Sequence, residues 1–462
     1  MKTTISKKIN IFLLLSVISS SLFGDIGNKL DNILNEHIEK DVLGLEPMFI
    51  NSKKEEKVDN KLNVEEMRYT FDIPTEEVKI HDKFKKALLY GNFGRASFLA
   101  FQLFQENTVR KKSDIRMAVA LLDMGTMQTA LGYPQKAWHY HEKAYYIFNK
   151  FFEKNKKKYA IDFYLAALDI SKSMIYQENF RLEAKTISDR AGTFMQSAFR
   201  TVDRNKMALA LLDKAKIQSS FRDYESAIGS YRAAVSFVVI KPGGYSLEYA
   251  IILIEGSKIF LDSGTKLPEA KKNVILGIKM IKGMIKNNLF KDFDYKIDDN
   301  FYMIGKGLQT LSELYKLEGK SKKAIAASKR SISILEKAYS GKETSFLSRS
   351  YIFISNLLIE NERYEEALVY LDKAQDLSES YASKSETTKF KINKDSTLNS
   401  AIIYAKKSEI FFKQNNFEKA KENMQKSYDI YSEILGWWDP QAKMAKESLS
   451  FIKQKYKEHN RF

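Results

Sequence analysis

Tyr351-Ile352-Phe353-Ile354-Ser355-Asn356-Leu357-Leu358-Ile359-Glu360-Asn361-Glu362-Arg363-Tyr364-Glu365-Glu366-Ala367-Leu368-Val369-Tyr370-Leu371-Asp372-Lys373-Ala374 is the stretch that decides the fold. Tyr351, Ile354, Ser355 and Leu358 recur at helical spacing and so share one face of a first helix. After the turn at Tyr364-Glu365-Glu366-Ala367, Leu371 and Ala374 carry the apolar face of a second helix. Small residues at the alanine positions let two antiparallel helices approach closely, while aromatics fill the space beside them. Such a pair cannot bury its apolar face alone, so the stretch predicts neighbours of the same kind stacked against it.

Those neighbours are present. The turn landmark, a mostly aromatic residue with alanine three or four positions later, occurs eight times. It reads Phe93-Gly94-Arg95-Ala96, Tyr133-Pro134-Gln135-Lys136-Ala137, Phe180-Arg181-Leu182-Glu183-Ala184 and Tyr224-Glu225-Ser226-Ala227. It continues as Leu267-Pro268-Glu269-Ala270, Ser321-Lys322-Lys323-Ala324, Tyr364-Glu365-Glu366-Ala367 and Phe417-Glu418-Lys419-Ala420. The alanine spacings are 41, 47, 43, 43, 54, 43 and 53 residues, and the recurring 43 marks one unit. Leu211, Ala215, Tyr231 and Ala234 repeat the apolar pattern around Ala227, as Tyr404, Ser408, Phe411, Met424 and Ser427 do around Ala420. The longer spacings point to lengthened helices or loops, for instance in 286–300 and 380–397.

The pattern resembles the tetratricopeptide repeat: a large residue, a small one four later, an aromatic three further on, then the Tyr-x-x-Ala turn. Met124-Gly125 falls where that family has its Leu-Gly pair. The 43-residue spacing exceeds the usual 34 and is similar to the longer repeats of the kinesin light chain type. Leu435-Gly436-Trp437-Trp438-Asp439-Pro440 resembles the linker of those repeats, and Tyr339-Ser340-Gly341-Lys342-Glu343-Thr344 is a version without the proline. The resemblance implies an all-α, right-handed superhelical solenoid of about eight hairpins over residues 79–440. Residues 441–462 then form a capping helix with a lysine-rich, polar finish. It also implies that first helices line a concave groove where partner peptides lie. Carried onto this chain, the groove candidates are Thr126, Tyr176, Lys216, Glu313, Lys316, Asn356 and Phe412. Asn356 and Lys216 suit hydrogen bonding to a peptide backbone or carboxylate.

The first 24 residues read as an export address. Lys2, Lys7 and Lys8 precede an apolar run from Ile9 to Ile18, and Ser19-Ser20-Ser21-Leu22-Phe23-Gly24 forms a small-residue exit. The apolar run is shorter than the roughly 20 residues that span a bilayer. Residues 25–78 form a separate N-terminal segment. Ile26 to Leu43 is amphipathic, and the charged run Asn51-Ser52-Lys53-Lys54-Glu55-Glu56-Lys57 lies between Pro47 and Pro74. The chain has no cysteine, which excludes disulfides, thiolate metal sites and thiol nucleophiles. Its formal charge is +17, and the first 24 residues supply three lysines and no acid, leaving +14 on the rest. That charge attracts anionic partners. The lysines are scattered and form no arginine cluster, and an exported protein does not meet nucleic acid, so an acidic protein or peptide is the expected partner. Membrane association through the basic surface or an uncleaved signal is a further expectation.

No residue set nominates chemistry. His139 and His141 lie two apart on a helix and point in different directions, so they read as partly exposed residues and not a metal pair. Gly305-Lys306-Gly307 lacks the upstream glycine and the Ser or Thr of a phosphate-cradling loop, and Lys241-Pro242-Gly243-Gly244 reads as a turn. Carboxylate pairs such as Asp298-Asp299 and Glu365-Glu366 have no apolar pocket around them in sequence. The aromatics recur at repeat positions and read as core. Trp437-Trp438 differs, since adjacent tryptophans at a linker cannot both face one core, and they are candidates for an exposed anchor. The expectation is an exported, periplasmic or secreted scaffold with no catalytic residue, metal or cofactor, which recruits a protein or peptide. The alternatives are a glycan-binding protein or enzyme with a site between repeats, and a lysine-held membrane-surface protein.

Overall fold

The computed structural model describes residues 74–110, 114–175, 180–197, 203–238, 246–287, 289–290, 301–339, 345–385 and 394–459. The export address, the amphipathic stretch 26–43, the turn 241–244, the pair Asp298-Asp299 and Tyr176 lie outside these residues. Every described element is a helix. Hairpin one pairs α1 (Thr75–Leu89) with α2 (Phe93–Val109), and hairpin two pairs α3 (Ile115–Ala130) with α4 (Pro134–Lys154). Hairpin three is α5 (Lys156–Met174) and α6 (Arg181–Ser197), and hairpin four is α7 (Arg204–Ser220) and α8 (Tyr224–Phe237). Hairpins five and six are α9 (Leu247–Ser263) with α10 (Leu267–Lys286), and α11 (Tyr302–Leu317) with α12 (Ser321–Tyr339). Hairpins seven and eight are α13 (Ser345–Glu360) with α14 (Tyr364–Ser385), and α15 (Lys394–Lys413) with α16 (Phe417–Leu435). The capping helix α17 spans Pro440–His459. The first helix begins at Thr75, four residues ahead of the expected start at 79.

The landmark alanines explain the hairpins. Ala96, Ala137, Ala184, Ala227, Ala270, Ala324, Ala367 and Ala420 are all fully buried at the start of second helices. Twelve positions upstream the first helix also carries a small residue: Gly125, Ala215, Ser312, Ser355 and Ser408. The serines tie the two helices together. Ser312 Oγ donates to the Ala324 carbonyl at 2.6 Å, Ser355 to Ala367 at 3.3 Å and Ser408 to Ala420 at 2.6 Å. In hairpin five the same bond runs from Ser257 to Ala270 at 3.1 Å across one more residue.

The turns are equally regular. Five positions before the alanine the backbone is left-handed at Gly91, Gly132, Arg222, Gly319, Glu362 and Asn415. Hairpin five has two such residues, Gly264 and Lys266, which accommodate its extra residue. The second helices α2, α8 and α16 start on side-chain caps, with Asn92, Asp223 and Asn416 accepting from the backbone N–H of Arg95, Ser226 and Lys419.

First helices pack on the first helices of the next hairpins (α1 on α3, α3 on α5, α5 on α7, α7 on α9, α9 on α11), while each second helix also touches the following first helix. This makes a two-layer solenoid with the first helices inside. The helix contact that departs furthest from the nearest-neighbour rule of solenoids joins α2 of hairpin one to α12 of hairpin six. No described helix is long and apolar enough to cross a membrane.

Candidate functional site

A ladder of paired charges runs along the inner layer. Four first helices carry an acid followed three residues later by lysine: Asp169-Ile170-Ser171-Lys172, Asp213-Lys214-Ala215-Lys216, Glu255-Gly256-Ser257-Lys258 and Glu313-Leu314-Tyr315-Lys316. Three residues is nearly one helical turn, so acid and lysine share a face. Each lysine then reaches the acid of the next hairpin. Lys172 meets Asp213 at 2.8 Å, Lys216 pairs with Glu255, Lys258 meets Glu313 at 2.6 Å and Lys316 meets Glu360 of α13 at 2.6 Å. Lys306 of α11 closes on Glu255 from the other side at 2.8 Å.

The ladder starts with a longer reach. Lys85 of hairpin one meets Asp169 of hairpin three at 2.7 Å, and Thr126 of hairpin two donates to the same carboxylate at 3.4 Å. A bond that skips a hairpin requires the first helices to converge, so the inner layer is concave. Asp169, Lys172, Lys216 and Glu255 are surrounded by protein yet keep 13–40% of their side-chain surface open. Both statements hold for the wall of a narrow concavity.

The pairing fixes the charge states. Burial alone would raise Asp169 and Glu255, but the flanking lysines bring both well below the usual carboxylate range. Burial alone would lower Lys172, Lys216 and Lys258, and their carboxylate partners raise all three. Asp169 and Glu255 therefore stay ionised at neutral pH and do not act as general acids there. Two buried histidines stand apart from the ladder. His81 bonds Asp123 at 2.8 Å, and His141 bonds Ser173 at 2.7 Å. His141 corrects the expectation of a partly exposed helix residue. It is fully buried, its ring packs against Gly125, and burial pushes its imidazolium down to about 3.

Two side chains on the inner face have unmet hydrogen-bonding capacity. Gln309 lies on α11 between Lys306 and Glu313, and Asn356 lies on α13 one turn before Glu360, so both share the ladder face. Gln309 Oε1 and Asn356 Oδ1 are buried and accept no hydrogen bond.

Of the sequence candidates, Thr126, Lys216, Glu313 and Lys316 are ladder members, and Asn356 lies beside the ladder with its oxygen unbonded. Phe412 packs elsewhere, edge-on to Phe417 at 5.3 Å and against Phe451 of the capping helix at 5.7 Å. Trp437 and Trp438 are 69% and 63% exposed, so neither enters the core. Gly305-Lys306-Gly307 is helical, and its lysine serves the ladder. Among the described residues no group of three or more His, Cys, Asp or Glu is placed to hold a metal. Sequence reasoning missed Lys85, Asp169, Lys172, Asp213, Glu255, Lys258, Lys306, Gln309 and Glu360. The repeated acid-x-x-Lys was the available signal for five of them, Asp169, Lys172, Asp213, Glu255 and Lys258.

Residues 348–381 and 401–433 match the tetratricopeptide repeat family, and they fall on hairpins seven and eight. A comparison with curated protein sequences returns no match. Among solved structures, the chain is similar to the Rap protein complexed with competence and sporulation factor, at 11% identity over 83% of this chain and 99% of that one, TM-score 0.48. BtubC (BKLC) from P. vanneervenii matches at 12% identity over 55% of this chain and 92% of that one, TM-score 0.43. The apo quorum sensor NprR from B. thuringiensis matches at 12% identity over 82% and 99%, TM-score 0.39. At such identities and scores no residue here takes a role from them. Hairpins seven and eight are tetratricopeptide repeats by sequence, and the other hairpins share their build.

Proposed function

We propose that the chain is an exported scaffold that holds an extended polypeptide segment against the inner face of hairpins six and seven. The observation that carries this reading is the pair of buried, unbonded amide oxygens on Gln309 and Asn356. A buried acceptor left unpaired costs about 1–3 kcal/mol, which favours turning either side chain outward, where its oxygen can accept a backbone N–H of an extended peptide. The ladder lysines add less than the net charge of +17 suggests, because each already faces a carboxylate. Long-range attraction then steers an acidic segment towards the protein, while the amides do the holding. Export rests on the basic, apolar and small-residue pattern of the first 24 residues.

A photo-reactive residue at position 360, one turn beyond Asn356 and half exposed on the same face, tests the holding site when activated in the cell. It is expected to capture one defined polypeptide, whereas the same residue at the exposed position 369 of α14 captures none. Equal capture at both positions would refute the site. N-terminal sequencing of the envelope fraction tests export. A mature start at residue 22 or 25 supports it, and an intact Met1 in the cytosol refutes it.

A further inference from the structure

The contact between hairpins one and six is built from aromatic rings. Phe93, at the start of α2, stacks on Tyr339 at the end of α12 with centroids 4.7 Å apart, and meets Tyr302 of α11 edge-on at 5.2 Å. Tyr90, in the turn before Phe93, meets Phe290 edge-on at 6.0 Å. All but Tyr90 in this group are buried. Gly91 sits between them at φ +70°, and a Cβ there would lie 2.3 Å from a ring carbon of Tyr302. The turn therefore fits against hairpin six only with glycine at that point.

The two attachments of hairpin one differ in kind. Toward hairpins two and three, α1 is tied by Glu77 to Arg116, His81 to Asp123 and Lys85 to Asp169, on one helical stripe. These partners are ionisable and buried or nearly so, and separating them exposes unpaired charge. Toward hairpin six the contact is made mainly of rings, with one long hydrogen bond of 3.5 Å from Tyr302 Oη to the Leu89 carbonyl. The Tyr339 hydroxyl is buried there with no hydrogen-bond partner. Parting the rings costs the exposure of their apolar surface but separates no ion pair, so this joint can open while the charged ties of hairpin one stay made.

We propose that the contact is a clasp. It holds the first superhelical turn shut over the ladder, with hairpin one fixed to its sequence neighbours and releasable from hairpin six. Closed, the concavity from Lys85 to Lys306 is enclosed. Released, it admits a polypeptide from the side. The clasp stands whether or not a peptide occupies the concavity, so its test needs no partner.

The chain has no cysteine, so spin labels can be placed on two introduced cysteines, Phe98→Cys on α2 and Ser333→Cys on α12. The double-labelled protein is expected to give one narrow distance distribution. Adding Phe93→Leu, which keeps an apolar side chain in hairpin one but removes the stacking, should broaden it to longer distances. In parallel, acetylation followed by mass spectrometry reads the inner lysines. Lys85, Lys172 and Lys216 are expected to react about tenfold faster in Phe93→Leu, with exposed Lys322 unchanged and helical content retained. A Tyr339→Leu variant should do the same from the other side of the clasp. A broad distribution in the unsubstituted clasp, or unaltered distances and acetylation in both variants, would overturn the proposal.

Discussion

Hairpins seven and eight and hairpins one to three are built on one plan and filled differently. The two C-terminal hairpins match the repeat family in sequence, and their buried polar residues among those described are serines: Ser348, Ser350, Ser355, Ser378, Ser408 and Ser427. Ser355, Ser378 and Ser408 bond carbonyls of their own hairpin, which suits a unit that need only recognise itself. The N-terminal hairpins bury Glu77, His81, Asn107, Asp123, His141 and Asp162. Several of these bond the next hairpin, as His81 does with Asp123 and His141 with Ser173. The plan tolerates this because landmark alanine and left-handed turn set the hairpin, leaving the faces between hairpins free to specialise. Regular filling keeps a repeat recognisable, and polar filling locks particular hairpins together.

The sharpest way to break the comparison is to cut the ladder at its N-terminal end. Asp169→Ala leaves Lys85 and Lys172 facing each other without their shared carboxylate. It is expected to cost about 2–4 kcal/mol in urea unfolding, near the range for removing one partner of a buried pair.

Acid should weaken the N-terminal hairpins next. The folded value of His141, about 3, lies below the free value of about 6.5. Its neutral form therefore stabilises the fold fully above pH 6.5, and that contribution is lost as pH falls toward 3. Between pH 7 and 5 the loss is about 2 kcal/mol, at ~1.4 kcal/mol per unit. It should appear as a fall in unfolding midpoint relative to His141→Gln, and parallel pH profiles would remove His141 from the account.

Smaller changes sharpen the regular end. Ser408→Ala removes the bond to the Ala420 carbonyl and is expected to cost about 1 kcal/mol in the same urea assay. Glu360→Ala removes the last ladder acid, whose side chain is 51% exposed. It should cost less than about 0.5 kcal/mol, as exposed pairs do. A ladder that lost equal stability at Asp169 and Glu360 would not be graded by depth.

The hairpins were legible in the sequence because their determinants are local. Each of the eight landmark alanines is buried, and the turn before it is left-handed in the described hairpins even where Arg222 or Glu362 replaces glycine. The spacing of 54, from Ala270 to Ala324, holds the long second helix Leu267–Lys286 and the stretch before the next helix begins at Tyr302. The matched segments are of ordinary repeat length, so the excess lies in long second helices such as Tyr364–Ser385 and in connectors. The site was legible only in part. Lys216, Glu313 and Lys316 follow from the resemblance, which puts them on first helices, but their partners sit on other helices, which periodicity does not encode. His141 looked exposed because neighbouring positions were charged. The clue to its burial was Gly125, which leaves room for the ring. Phe93 and Tyr339 lie too far apart in the chain for any local pattern to join them.

The structure of the unsubstituted protein bound to the polypeptide captured at position 360 tests the central claim most directly. The account expects an extended segment along α11 and α13, with backbone N–H groups within hydrogen-bond distance of Asn356 Oδ1 and Gln309 Oε1 and the ladder pairs intact. A partner seated on the outer helices or on Trp437 and Trp438, with both amides still unbonded, would contradict it.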